Sequence, residues 1–133
     1  MIVGTGIDLI DVRRLEKLME IHGQRFKSRY FTKNEIALAE SRAHSGREIL
    51  ALAKRFAAKE ACAKALGTGF IDGLKMVEIE VILDQKGRPS LHLTGKALDL
   101  LEGLIPEPRE PFIHLSLTDE PPYAQAQVII EAL

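Results

Sequence analysis

The stretch Arg55-Phe56-Ala57-Ala58-Lys59-Glu60-Ala61-Cys62-Ala63-Lys64 holds the densest set of reactive side chains in the chain. On a helix, Glu60 and Lys64 lie one turn apart on one face, so a carboxylate and an ammonium project together. The alanines at 57, 58, 61, 63 and 65 would let such a helix come close to whatever it packs on. Spacing alone fits equally an ordinary surface pair worth about 0.3–0.5 kcal/mol. A second carboxylate, Asp8, follows Gly6-Ile7 near the end of an apolar, β-branched opening run. Asp8 and Glu60 could converge on one Mg²⁺, which takes one or two protein carboxylates and fills its shell with water and substrate phosphates. Asp8 could instead cap local backbone amides.

The frame for these residues is small. A chain of 133 residues, 46% hydrophobic and 28% charged, is expected to form a single domain over residues 1–133. No apolar run approaches the ~20 residues that span a bilayer. The start, Met1-Ile2-Val3-Gly4-Thr5-Gly6, shows no basic region ahead of an apolar stretch, so no secretory signal is read there and a cytoplasmic address is expected. The single cysteine, Cys62, has no internal disulfide partner. His22, His44, His92 and His114 are scattered without zinc-ligand spacing, so any metal should be a hard cation held by carboxylates. Charge is divided unevenly. Residues 1–64 hold 13 Lys/Arg against 8 Asp/Glu, a net of +5, and residues 65–133 hold 5 against 11, a net of −6. The first half therefore suits an acidic or phosphorylated partner. Nucleic acid is disfavoured, because the chain has no Trp, only 5% aromatic residues and a pI near 6.4.

The elements that must position these groups follow from periodicity. Ile2 to Ile10 reads as a buried strand running into a helix cap at Asp11. Val12, Leu15, Leu18, Met19 and His22 recur at helical spacing before Gly23, which predicts a first helix over 12–22. Thr32-Lys33-Asn34-Glu35 and Ser45-Gly46-Arg47-Glu48 both fit a capping box, so two further helices should start there, the second and longest running from Arg47 to Leu66. After turn-rich residues 67–73, a strand is expected over 76–83, a turn at Asp84-Gln85-Lys86-Gly87 and a partner strand over 90–93. Thr94 should cap a short helix over 96–101. The prolines at 106, 108 and 111 end it, and strands over 112–117 and 123–131 should pair around Asp119-Glu120-Pro121-Pro122. Helices early and strands late predict an α+β fold with a largely antiparallel sheet packed against a long helix.

Several motifs together, in order, resemble holo-acyl-carrier-protein synthases of the 4′-phosphopantetheinyl transferase superfamily, short trimeric type. They are Gly6-Ile7-Asp8, Arg13-Arg14, residues 55–61 with Lys64 to Gly69, Gly87-Arg88-Pro89, and His114 to Thr118 with Tyr123 to Val128. The resemblance spans nearly the whole chain. It implies a transferase-like fold and a reaction that moves 4′-phosphopantetheine from coenzyme A to a serine of apo acyl carrier protein, releasing adenosine 3′,5′-bisphosphate, in fatty acid biosynthesis. It also implies Mg²⁺ dependence and a homotrimer with active sites at subunit interfaces. Neither nucleic acid nor a membrane is implied as a partner.

Residue by residue, the resemblance makes Asp8 and Glu60 the Mg²⁺ ligands. Larger relatives carry a second acid two positions after the first aspartate; here that position is Ile10, so water should fill the missing place. Glu60, directly or through a metal-bound water, would take the proton of the incoming serine, and Lys64 would place positive charge on the phosphate beside the leaving oxygen or protonate it. Lys59 and Arg55 would bind other coenzyme A phosphates, and Gly87, Arg88, Pro89 and Ser116 would border the cofactor. The first helix would offer the carrier protein a docking surface, with Arg14, Leu18 and Ile21 along one flank, Arg13, Lys17 and Arg25 nearby and Phe26 just beyond.

The chain departs from the family at Ser116-Leu117-Thr118-Asp119, where an aspartate replaces the usual histidine. Near coenzyme A phosphates this carboxylate would repel unless it points away or recruits a metal or a lysine. Two other classes of function remain consistent with the residues: a non-catalytic carrier-protein-binding module and a Mg²⁺-dependent phosphotransferase acting on a small molecule.

Overall fold

Ten residues form the first strand, β1 (Ile2–Asp11), of the computed structural model, which describes residues 1–70 and 73–133. Asp11 ends the strand and caps the helix that follows, its carboxylate accepting from the Arg13 backbone N–H at 3.0 Å. The capping alternative raised for Asp8 thus belongs to Asp11. Helix α1 (Val12–His22) buries Val12 and Leu15 and stops at Gly23, whose φ of 53° suits a residue without a Cβ. A short helix absent from the sequence reading, α2 (Gln24–Tyr30), follows immediately. Its Phe26 stacks near Tyr30 and Phe31, with ring centroids 5.0 and 6.0 Å away. Helix α3 (Lys33–Glu40) begins with the expected capping box: Glu35 N–H donates to Thr32 Oγ1 at 3.3 Å, and Thr32 N–H donates to Glu35 Oε1 at 2.9 Å.

The second expected capping box does not form. Ser45 closes a 3₁₀ turn (Ala43–Ser45), its hydroxyl donating to the Arg42 carbonyl, and Gly46 turns left-handed. Helix α4 (Glu48–Ala65) starts at Arg47 without a side-chain cap; Glu48 in its first turn pairs with Lys27 of α2 instead. Of the turn-rich stretch 67–73, residues 71 and 72 lie outside the described residues. The strand expected over 76–83 begins late, since Met76–Glu78 form a 3₁₀ turn, leaving β2 (Ile79–Leu83) to pair with β3 (Pro89–Leu93). Helix α5 (Gly95–Leu104) is longer than expected. Thr94 stands at its N-cap, but the side-chain acceptor comes from Glu78, which receives the Ala97 N–H at 3.2 Å. The last two strands, β4 (Pro111–Glu120) and β5 (Tyr123–Ala132), run three residues and one residue beyond their expected ends, so only Pro121-Pro122 make the turn.

The main sheet is antiparallel in the order β1-β5-β4, and β2-β3 form a separate hairpin. This is the expected α+β architecture. Helix α4 lies across one face of the main sheet, against Ala124, Ala126, Val128 and Ile130 of β5. Strand β1 meets this helix through glycines. A Cβ at Gly4 would lie 2.1 Å from the Ala65 carbonyl oxygen, and one at Gly6 would lie 1.9 Å from that of Ala61. No side chain fits between them. The strand is buried on this face only. On the other, Ile2, Ile7 and Leu9 are 62%, 53% and 61% exposed, which corrects the expectation of a strand buried throughout. Among the described residues no helix is long and apolar enough to cross a membrane.

Substituting Gly6 by Ala must push β1 away from α4 against backbone atoms, which cannot yield as a flexible side chain would. Gly6→Ala is expected to cost about 3 kcal/mol and to lower Tm by roughly 10 °C in calorimetry. Thr5→Ala, on the exposed face, should leave Tm within about 2 °C.

Candidate active site

The glycine contact sets where Asp8 stands. Gly4, Gly6, Asp8 and Ile10 alternate toward α4, so the carboxylate leaves β1 on the helix side, two residues beyond the closest approach. Lys64, on the last turn of α4, reaches back across the gap. Its ammonium donates to the Ile7 carbonyl at 2.9 Å and to Asp8 Oδ1 at 3.2 Å. Glu60 lies one turn earlier on α4 and is half-buried. Burial raises its pKa above the ordinary value, the negative charge of Asp8 adds to the rise, and Lys64 and Arg14 oppose it. The expected Glu60–Lys64 pair is thus not formed among the described residues: Lys64 pairs with Asp8, and its charge acts on Glu60 without a direct bond. A carboxylate whose ionisation is opposed by burial and by a neighbouring acid is one that a cation would relieve.

Among the described residues no three metal-ligating side chains gather at one point. Asp8 and Glu60 nevertheless supply hard oxygen donors on rigid elements, which fits an ion that draws its remaining ligands from water and phosphate. Beside Glu60 opens a cavity of about 670 Å³. Arg14, Arg29 and Lys75 bring positive charge to it, while Tyr30, Phe56, Leu74 and Met76 give it apolar walls. Arg14 of α1 thus shares a cavity with Glu60, which joins the proposed docking helix to the carboxylate cluster.

A second cavity, of about 560 Å³, lies between the β2-β3 hairpin and β4. It gathers Arg88, Pro89 and Ser116, and His114 lines it as well, paired at 3.0 Å with Glu131. Gly87 does not line it; with a φ of 81° it shapes the turn, in which Asp84 accepts from the Lys86 and Arg88 backbone N–H groups. None of Asp8, Glu60 or Lys64 lines this cavity, so one chain holds the two halves of the expected site apart.

Three expected contacts are corrected. Lys59 is wholly buried, bound to Glu35 at 2.7 Å and to the Met76 carbonyl at 3.0 Å, because it points from α4 toward α3 and the start of β2 rather than to solvent. Arg55 is buried on the same side of α4, one turn away; its Nη1 donates to the Ala51 carbonyl at 3.0 Å, and among the described residues its Nε and Nη2 have no partner. Neither lines one of the cavities described for this structure and both are closed off from solvent, so as folded neither is placed to meet a cofactor phosphate. Phe26 is buried in the aromatic cluster of α2 and offers nothing to a docking protein. The other docking candidates are on the surface: Arg13, Arg14, Lys17 and Arg25 are exposed, Ile21 is 72% exposed, and Leu18 is half-buried against the core.

The sequence reading missed a third, basic cavity of about 320 Å³, where Arg42, Arg47 and Lys54 surround Asp119. The excess positive charge of residues 1–64 was its only signal, because its members come from three segments. Asp119 takes the lysine that its position calls for, at 3.1 Å from Lys54 Nζ.

Comparison with known proteins agrees with this architecture. Residues 4–111 match the model of the family described as the 4′-phosphopantetheinyl transferase superfamily. The chain is 50% identical to the holo-[acyl-carrier-protein] synthase of Caulobacter vibrioides and 51% identical to that of Brucella ovis, each over all of this chain and 98% and 97% of the relative. Among solved structures, the Neisseria meningitidis holo-[acyl-carrier-protein] synthase superposes with a TM-score of 0.82 at 35% identity, covering 98% of this chain and 99% of the other. The Bacillus anthracis synthase, described in complex with CoA (3′,5′-ADP), gives 0.77 at 35% identity, covering 100% and 99%.

The raised pKa of Glu60 carries a sign that can be checked. The folded, metal-free protein holds this proton more tightly than the unfolded chain does, so Glu60 lowers stability as pH rises through the window above 4.5. Glu60→Gln is expected to raise Tm at pH 7 in chelator-treated buffer and to leave it unchanged near pH 4. Millimolar Mg²⁺ should raise the Tm of the wild type and not that of the variant.

Proposed function

The chain belongs to the 4′-phosphopantetheinyl transferase superfamily, as an enzyme of the holo-[acyl-carrier-protein] synthase type, and on that premise we propose that it transfers 4′-phosphopantetheine from coenzyme A to a serine of apo acyl carrier protein with Mg²⁺ as cofactor. Adenosine 3′,5′-bisphosphate is the second product. The observation that carries this reading is the meeting of Asp8, Glu60 and Lys64 where β1 runs against α4. Coenzyme A as substrate is supported by relatives whose structures are described in complex with it.

Asp8 and Glu60 are the residues assigned to hold Mg²⁺, which would offset the charge of the pyrophosphate. The serine oxygen forms a bond to the pantetheine-side phosphorus while the bond from that phosphorus to the bridging oxygen breaks, leaving the electron pair on adenosine 3′,5′-bisphosphate. Glu60 is assigned to receive the serine proton; no histidine lines its cavity. Lys64 is exposed and, among the described residues, bound only to oxygens of Ile7 and Asp8, so it can turn to the leaving oxygen as charge develops there. The apolar walls beside Glu60 suit the pantetheine arm, and the basic cavity of Arg42, Arg47 and Lys54 suits an outlying phosphate. Arg14, Lys17 and Ile21 of α1 form a basic, partly apolar surface for an acidic carrier protein.

The exposed apolar face of β1 supports a homotrimer. Ile2, Ile7 and Leu9 leave a patch that a soluble chain ordinarily covers. Because β1 is the edge strand of its sheet, a second copy docked on that face and reaching round the edge can bring its cavity of Arg88, Pro89 and Ser116 to the Asp8 and Glu60 cluster, completing a site shared between subunits. The proposal extends to a cytoplasmic reaction in fatty acid biosynthesis, on the likeness to holo-[acyl-carrier-protein] synthases.

Mass spectrometry of apo carrier protein incubated with coenzyme A and Mg²⁺ tests the reading directly. Addition of phosphopantetheine to the carrier supports it, and an unchanged carrier mass contradicts it. Asp8→Asn and Glu60→Gln are each expected to lower kcat by on the order of 10²-fold, while Arg14→Ala should raise the carrier KM several-fold and flatten its salt dependence. Leu9→Asp should convert a trimer to monomers in sedimentation and abolish transfer with it.

A further inference from the structure

Lys59 is the neighbour of Glu60 in the chain, yet its ammonium is sealed from solvent and every one of its protons has an acceptor. Glu35 Oε1 lies at 2.7 Å, the Met76 carbonyl at 3.0 Å, and the Ile79 carbonyl takes the third. Glu35 is used just as fully. Its Oε1 also accepts from the Thr32 backbone N–H at 2.9 Å, and its Oε2 accepts from the Val81 N–H at 3.0 Å. One ion pair therefore ties together the start of α3, the middle of α4, the 3₁₀ turn before β2 and β2 itself.

Burial of this kind rules Lys59 out as a phosphate ligand, but it has a directional consequence. Successive residues of a helix leave its axis about 100° apart. Holding Lys59 against α3 and β2 thus fixes the direction in which Glu60 leaves α4. On the sheet side, the helix backbone lies flush on Gly6 at Ala61, so it cannot roll without either breaking the ion pair or colliding with β1. Apolar residues of similar volume often replace a buried ion pair at little cost in stability. What they do not reproduce is a set of hydrogen bonds with fixed directions.

We propose that the Lys59–Glu35 pair is a positioning clamp that sets the rotation of α4 and thereby aims the Glu60 carboxylate at the seat of the divalent ion opposite Asp8. The proposal rests on the assignment of Asp8 and Glu60 as joint ligands. Lys59 and Glu35 touch neither substrate nor ion, and act through Glu60.

The test compares the wild type with Lys59→Met, the double variant Glu35→Leu/Lys59→Met and Glu35→Gln. Three quantities are measured: thermal unfolding, coenzyme A binding by calorimetry without metal, and Mn²⁺ binding in the presence of coenzyme A, read from the paramagnetic resonance of the free ion. Lys59→Met strands a buried carboxylate and should melt far below the wild type. The double variant removes the stranded charge but also takes the partners from the Met76 and Ile79 carbonyls and the Thr32 and Val81 N–H groups, so it should regain only part of that loss. It should bind coenzyme A within about twofold of the wild type, and bind Mn²⁺ roughly 10–100-fold more weakly, the usual effect of losing a group that orients a metal ligand. Glu35→Gln carries the same Mn²⁺ expectation should the double variant not fold. Every contact of Glu35 is as an acceptor, so an amide sets a donor against a donor in either orientation.

A stable double variant, or a stable Glu35→Gln, with wild-type Mn²⁺ affinity would show the pair to be scaffolding and overturn the proposal. Loss of metal-free coenzyme A binding with Mn²⁺ affinity retained would make Lys59 a phosphate ligand and overturn it too. Failure of the wild type itself to bind Mn²⁺ with coenzyme A is a different result: it removes the two-carboxylate reading, and the clamp falls with it.

Discussion

The contact between β1 and α4 governs everything else in this molecule. Two backbones meet where the chain offers only Gly4 and Gly6 on one side and alanines on the other, with Ala61 and Ala65 carbonyl oxygens occupying the space where side chains would be. Close packing of this kind has no slack, because overpacking by a single methyl forces the backbone to move. It also decides a distance. Asp8 follows Gly6 by two residues and Glu60 precedes Ala61 by one, so the separation of two acids that are 52 residues apart in the chain is set by a backbone-to-backbone contact rather than by flexible side chains.

What the fold assembles there is an electrostatic cost that waits for a counterion. Glu60 is half-buried beside another carboxylate, and both effects hold its pKa up. Lys64 answers part of that charge from an exposed position, where its ammonium can move. Arg14 answers another part from α1, so the helix that presents a basic surface outward also contributes to the field at the site. Asp119 shows the same economy: a carboxylate in a basic cavity is matched by Lys54 and leaves Arg42 and Arg47 to an anion.

Much of this was legible in the sequence, and the failures have physical causes. Periodicity found α1 to the residue and α4 within one residue at each end, because amphipathic and alanine-rich patterns are local. The capping box at Thr32 formed while its look-alike at Ser45 did not, because Gly46 took a left-handed turn and Glu48 was drawn to Lys27. Helix α2 is short, follows a glycine and buries Phe26 and Lys27, so no surface pattern marked it. The site divided along the same line. The Glu60–Lys64 spacing and the meeting with Asp8 could be read from helix geometry and a family resemblance. The direction in which Lys59 and Arg55 point could not, since both are cations in a motif rich in cations and only the position of α3 and β2 shows that they face inward. Nor does any sequence pattern reveal that Arg88 and Ser116 share a cavity remote from Glu60 within one chain.

One ion held by two carboxylates across the β1–α4 contact is what the proposed chemistry requires. Crystals grown with coenzyme A and Mn²⁺ test it most directly, through the anomalous signal of the metal. A single peak within coordination distance of both Asp8 and Glu60 oxygens, touching the pyrophosphate, with Lys64 released from Asp8 toward phosphate, is the predicted result. A metal that touches only one of the two acids, or none, while Lys64 keeps its place on Asp8, would contradict it.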